Sequence, residues 1–253
     1  FQSLYQQNPQ PVQAGGECYK DFDVNLNTGD AEYNPELPLH FSFDFNVNPY
    51  MSCGVYQIDK EQVGDVMYYE AKKIEEICLR SPRNTTKGIC EYIRNKYKAR
   101  HKAGAYIYGD PNGMKEDTRS EKGHNDYLII RQELADFRPS FRIATKAPPV
   151  RTRIDFMNSI FIGGVTGLKY TIDKRCVNTV NDYLYIKEES DGTKQKVKAI
   201  DPITGINSER YGHTSDHDEY FICNAFGNKF ALYQNGGVSS PIKVGKRVSR
   251  YIY

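Results

Sequence analysis

The 253-residue sequence has no tryptophan, no marked excess of charge of either sign, no long apolar run and no clustered cysteines. Each absence closes off a class of protein. With 34 Lys and Arg against 32 Asp and Glu the net charge is +2, so any surface for nucleic acid must come from segregation of charge within the chain. The six cysteines (Cys18, Cys53, Cys78, Cys90, Cys176, Cys223) form no CxxC and no Cys/His set at zinc spacing, which excludes a zinc module and reads as reduced thiols. No apolar run approaches the ~20 residues that cross a bilayer, and the start lacks a signal-peptide pattern. A soluble, cytoplasmic protein without a membrane partner is therefore expected. There is no GxxxxGK[ST]: Gly245-Lys246-Arg247 lacks both the upstream glycine and the hydroxyl residue, so a P-loop ATPase is excluded. Phe1 in place of Met is what a fragment or a processed product would show.

What is present is a chain with 20 tyrosines and 12 phenylalanines, long enough to bury a substantial core. Residues 1–38, rich in Gln, Asn, Gly and Pro, read as a lead-in or interdomain linker packed on the body. The body spans 39–228, and 229–253 form a tail with Lys243, Lys246, Arg247 and Arg250. Phe41, Phe43 and Phe45 alternate with Ser42, Asp44 and Asn46 before Asn48-Pro49, the pattern of a strand with one aromatic face. Ser52 to Ile58 and Val66 to Glu70 continue it as an antiparallel meander. A helix is expected from Thr85-Thr86 to Tyr97, then a strand over Gly104 to Tyr108, an order that predicts a crossover onto the same sheet. The sequence further predicts helices over Asp126 to Leu134, Val150 to Phe161 and Cys176 to Glu189, strands over Phe141 to Thr145 and Leu168 to Asp173, and a closing helix from Asp216 to Phe226. The fold class is α/β.

Three acids recur where elements end: Asp44 after the aromatic strand, Asp110 in Gly109-Asp110-Pro111-Asn112-Gly113, and Asp216 in His213-Thr214-Ser215-Asp216. Such acids are most often turn formers, but three of them, distant in sequence and similarly placed, make a candidate metal site. Divalent ions with hard character prefer carboxylate oxygen to thiolate. Asp218, two residues on, is expected to point elsewhere on the helix into solvent, and His217 and Glu219 to lie on the surface. Asp117 and Asp126 read as loop and N-cap residues. For phosphate contacts the candidates are Lys72, Lys73, Lys115, Arg119, Lys122, Arg131, Lys146, Arg151 and Arg153, with Arg151 and Arg153 after the double proline foremost. No base-reading motif occurs, so little sequence specificity is expected.

Asp-Phe-Asn with a nearby Pro on a first strand, Gly-Asp-Pro-x-Gly ending a later strand and His-x-x-Asp-x-x-x-Tyr towards the C-terminus resemble, in this order, the nuclease domain of the large terminase subunit of tailed bacteriophages. The resemblance covers roughly 39–226. It implies an RNase H-like fold, a mixed central sheet flanked by helices, and a metal-dependent endonuclease that cuts concatemeric phage DNA during packaging. Carried over, Asp44, Asp110 and Asp216 are catalytic residues and ligands of two divalent ions, Mg2+ or Mn2+, and His213 is the accompanying catalytic histidine. Implied partners are double-stranded DNA, an ATPase domain of the same full-length chain, a small terminase subunit and a portal, in the cytoplasm of the infected host. Another RNase H-like nuclease, such as a resolvase or integrase, and a non-catalytic DNA-binding virion or packaging module remain the alternatives.

Overall fold

A computed structural model describes residues 16–115, 125–200 and 205–236. A mixed seven-stranded sheet runs through it in the order β1-β7-β4-β3-β2-β5-β6. The strands are β1 (Thr28–Gly29), β2 (Leu39–Asp44), β3 (Met51–Val63), β4 (Val66–Leu79), β5 (Ala105–Gly109), β6 (Pro139–Phe141) and β7 (Leu168–Asp173). β2, β3 and β4 form the expected antiparallel meander, while β5 adds to β2 in parallel and β7 to β4 in parallel. The two hairpin strands are longer than the sequence pattern suggests. They close on a two-residue turn in which Gly64, at φ +61°, supplies a backbone conformation open to glycine.

Helices cover both faces. Phe41, Phe43, Cys53, Val55, Ile77 and Ile107 pack under α2 (Thr86–Tyr97) and α3 (Asp126–Glu133). On the other face Tyr56, Ala71, Tyr108, Tyr170 and Ile172 pack under α4 (Val150–Phe161), α5 (Val177–Tyr185), α6 (His213–Ala225) and α7 (Gly227–Gln234). The single aromatic face expected of β2 is therefore only half of its burial: all six of its residues are buried, because it lies between two helical layers. α2 starts where the threonines predicted, with Thr85 Oγ1 accepting from the Gly88 amide.

Lead-in residues contribute to the core. Cys18 and Tyr19 are buried, α1 (Val24–Asn27) follows, and β1 pairs with β7. At the other end α7 runs across position 228, with Phe230 in the core. A small hairpin, β8 (Lys198–Ile200) with β9 (Asn207–Glu209), stands apart from the main sheet between α5 and α6. Arg119, Lys122, Asp117 and the four basic residues of the tail lie outside the described residues.

Candidate metal and active centre

The register of β2 and β5 pairs Phe43 with Gly109, so Asp44 and Asp110 lie at neighbouring C-terminal strand ends. By strand alternation Asp44 belongs to the face that α6 covers, with His40, Ser42, Tyr106 and Tyr108, and Asp110 follows directly after β5. Gly109 is required there. A Cβ at that position, where φ is +145°, would come within 2.5 Å of the Phe43 carbonyl oxygen and 2.8 Å of the Tyr127 hydroxyl. The chain then turns sharply: the Asp110 amide donates to Phe43 O at 3.2 Å, and Asp110 Oδ1 accepts from the Asn112 amide at 2.8 Å to cap a short 3-10 turn with Pro111 at its start. Each residue of Gly-Asp-Pro-Asn thus has its own part in the corner.

α6 brings the third acid. Its N-cap position is Gly212, which has no side chain to accept from the first amides. Asp182, reaching across from α5, does so instead, accepting from the Thr214 and Ser215 amides at 2.9 and 3.0 Å and from the Thr214 hydroxyl at 2.6 Å. The first turn is thereby held against the sheet edge. His213 Nδ1 lies 3.2 Å from Asp44 Oδ2, and its Nε2 lies 3.1 Å from the Glu209 carbonyl. An ionised carboxylate and a carbonyl both only accept, so the two contacts suit an imidazolium. Burial opposes that charge, but the Asp44 carboxylate outweighs it and lifts His213 to about 9.

Asn46 Nδ2 donates to both Asp44 oxygens, at 3.0 and 3.1 Å. Burial lifts the Asp44 carboxyl above its usual range, His213 opposes the lift, and the charge of Asp216 adds to it. Burial likewise lifts the Tyr220 phenol; Arg153 opposes this, and the charges of Asp216 and Asp110 add to it.

All three candidates offer hard oxygen donors of the kind Mg2+ and Mn2+ take. Asp110 makes no ion pair among the described residues, whereas Asp44 pairs with His213. Asp216 is differently placed. Its Oδ1 is 2.6 Å from Lys194 Nζ, and no group of three His, Cys, Asp or Glu side chains among the described residues stands in metal-holding positions.

Several sequence expectations change here. Asp218 is fully buried rather than solvated: it takes hydrogen bonds from Lys73, Tyr56, Tyr170 and Tyr183. Two residues along a helix turn the side chain by about 200°, which sends Asp216 to the sheet edge and Asp218 under the sheet. His217 and Glu219, expected on the surface, are buried as well. Lys73 has no exposed surface and Arg153 is 4% exposed with Glu219 3.3 Å away, so neither offers a phosphate contact. Arg151, Lys146, Lys115 and Arg131 are exposed. Asn125 rather than Asp126 caps α3, accepting from the Leu128 amide, and Asp126 accepts from the Thr86 hydroxyl. Sequence reasoning passed over Asp182 and Lys194. A glycine at a helix start signals the first, since the cap must come from elsewhere.

No protein-family model matches the sequence, and comparison with curated proteins finds no relative. Solved structures do match. The P22 large terminase nuclease domain aligns over 82% of this chain and 91% of its own, at 11% identity and a TM-score of 0.51. The chain has the fold of a large-terminase nuclease domain. The large terminase of a thermophilic bacteriophage, in complex with ADP, aligns over 85% of this chain at 16% identity and a TM-score of 0.50. The chain spans about half of that protein, 46% of its length. The neighbours bear out the α/β, RNase H-like fold with a mixed sheet and helices on both faces. No helix among the described residues is long and apolar enough to cross a membrane.

Proposed function

We propose that the chain is a divalent-metal-dependent DNA endonuclease of the terminase type, cutting concatemeric phage DNA during genome packaging. One observation carries this reading. Asp44 and Asp110 lie at the ends of neighbouring parallel strands, and His213, 169 positions from Asp44, lies 3.2 Å from its carboxylate in the first turn of α6, on a fold shared with a terminase nuclease domain.

Asp44 and Asp110 would hold the Mg2+ or Mn2+, with Asp216 as the third ligand. When bound, two such ions supply charge stabilisation to the attacking and leaving oxygens of phosphodiester hydrolysis. The chain's own groups set the stage for that chemistry. His213 and Asn46 fix the Asp44 carboxylate from two sides, and Asn112 does the same for Asp110 through its amide and its side-chain nitrogen at 3.2 Å. Exposed Arg151, Lys146 and Lys115 are the described candidates for the DNA backbone, joined by Arg119 from the sequence. The chain works as the nuclease part of a longer protein, with the lead-in from Cys18 and α7 built into its core, and an ATPase domain, the small subunit, portal and host cytoplasm complete the setting.

The test is nicking and linearisation of supercoiled plasmid with Mn2+, Mg2+ or chelator, comparing the chain with Asp44→Ala, Asp110→Ala and Asp216→Ala, each checked for fold by circular dichroism. Cleavage that requires metal and disappears in all three is the expected result. Cleavage that persists in folded Asp44→Ala would remove Asp44 from the centre and overturn the assignment.

A further inference from the structure

Lys194 does not belong to any of the strands or helices that carry the acids. It lies beyond the Asp191-Gly192 turn, where Glu188 and Lys194 form an isolated bridge, and from there its side chain enters the acidic end of α6. The ammonium lies 2.6 Å from Asp216 Oδ1, 3.0 Å from Glu219 Oε1 and 3.0 Å from Ser215 Oγ, with the Tyr19 ring centroid at 5.5 Å. Glu219 already has a cation of its own. Arg153 sits 3.3 Å from its other oxygen, and the Tyr19 hydroxyl donates to Oε1. Two carboxylates and two cations balance in this cluster, and Lys194 is the cation in direct contact with Asp216 among the described residues.

Resting on the metal-centre reading above, we propose that Lys194 is a built-in cation for Asp216, one that a divalent ion must displace before Asp216 can serve as its ligand. An ion taking Asp216 with the ammonium still in place would put three positive charges against one carboxylate at hydrogen-bond range, a repulsion that a poorly screened site makes severe. The route out is short, because the Lys194 side chain is 11% exposed and the Asp216 side chain 30%. Asp44 carries a cation as well, since His213 stands 3.2 Å from one of its oxygens and Asn46 shares both, whereas Asp110 makes no ion pair among the described residues. The centre therefore loads unequally. The Asp110 strand end takes an ion first, and Asp216 joins only as Lys194 leaves.

The experiment is calorimetric titration with Mn2+ of the unmodified chain and of Lys194→Gln, Lys194→Arg, Asp44→Asn and the double variant Lys194→Gln/Asp216→Asn, with no DNA present. Lys194→Gln should bind Mn2+ about tenfold more tightly or take up a second equivalent. Lys194→Arg, which keeps the charge, should bind as the unmodified chain does, and the double variant should lose the gain. Binding that is abolished by Asp44→Asn but unchanged or weakened in folded Lys194→Gln overturns this proposal and leaves the metal centre standing. Binding indifferent to Asp44→Asn overturns the centre itself. Should Lys194→Gln fail to fold, the unmodified chain labelled with 13C-lysine carries the decision. The Lys194 ε-carbon resonance, assigned by its loss in Lys194→Arg, must shift as Mg2+ saturates the site, and a resonance that stays put overturns the displacement.

Discussion

Asp216 and Asp218 sit two residues apart on the same helix and have opposite fates. Asp218 is completely enclosed: Lys73 is 2.7 Å from its Oδ1, Tyr170 and Tyr183 donate to its Oδ2 at 2.7 and 2.8 Å, and Tyr56 donates as well. Burial would raise its carboxyl, but Lys73 and its other partners hold it well below the usual range. Every lone pair has a use inside the fold. Asp216, by contrast, keeps part of its side chain in solvent and has Lys194 as its ion-pair partner among the described residues. An acid whose partners all lie in the interior anchors the helix, whereas an acid at the sheet edge with one removable partner is free to meet a ligand. The comparison explains why α6 can present a site at its N-terminus: its middle is bolted to β3, β4, β7 and α5 by a buried charge.

The largest effect should come from breaking that bolt. Asp218→Ala leaves Lys73 charged and enclosed, with Thr179 as its remaining hydrogen-bond partner among the described residues, which should cost about 3–5 kcal/mol in urea denaturation. Asp216→Asn, at a partly exposed pair, should cost no more than about 1 kcal/mol while removing metal-dependent cleavage. If both substitutions destabilised equally, or if Asp218→Ala folded normally, the division between anchoring acid and site acid would fail.

The same division accounts for what the sequence discloses. Strand alternation at Phe41 and Phe43 and helical spacing at Val150, Ile154, Met157 and Phe161 mark the elements that the structure shows as β2 and α4, although β2 ends before Phe45 and is buried on both faces. The Gly-Asp-Pro corner is legible too, since its chemistry is local. What stays hidden is the second partner of each polar residue. Lys73 stands between half-buried Lys72 and buried Ile74, and nothing nearby in sequence reveals that Asp218, 145 positions away, will neutralise it. Lys194 and Asp182 are missed for the same reason: each serves α6 from another part of the chain.

A sharper test of the edge side of the comparison is Gly109→Ala. The added methyl meets the Phe43 carbonyl rather than a side chain that can yield, and the positive φ strains any other residue. A loss of about 2 kcal/mol in stability is expected. Because the backbone of β5 must draw away from β2, Asp110 shifts relative to Asp44, so Mn2+ affinity should fall along with stability. Gly163→Ala, at another positive φ but with open space around it, should show only the smaller backbone cost and no change in metal binding. Equal losses of metal affinity in the two variants would mean that Gly109 matters for strain alone and not for the approach of the two acids.

The smallest effect is at the far end of the sheet, where Asp173 closes β7. Its carboxylate accepts from the Ala31 amide at 2.9 Å and from the Arg175 amide and guanidinium at 2.9 and 2.7 Å, tying the β1 segment to the sheet. Burial opposes ionisation, but these donors outweigh it and hold the carboxyl below its ordinary value. A depressed carboxylate stabilises the fold at every pH above its unfolded value of about 3.9 and loses that contribution as pH falls through the folded value. Asp173→Asn should therefore cost about 1 kcal/mol, since Arg175 is largely exposed and screened. The gap between the two proteins in urea midpoint should be flat from pH 7 to about 4.5 and close below about pH 4. A gap that instead widened on acidification would show that Asp173 is held neutral. The β1 segment would then be tied to the sheet by uncharged hydrogen bonds, with no part for the charge of Arg175.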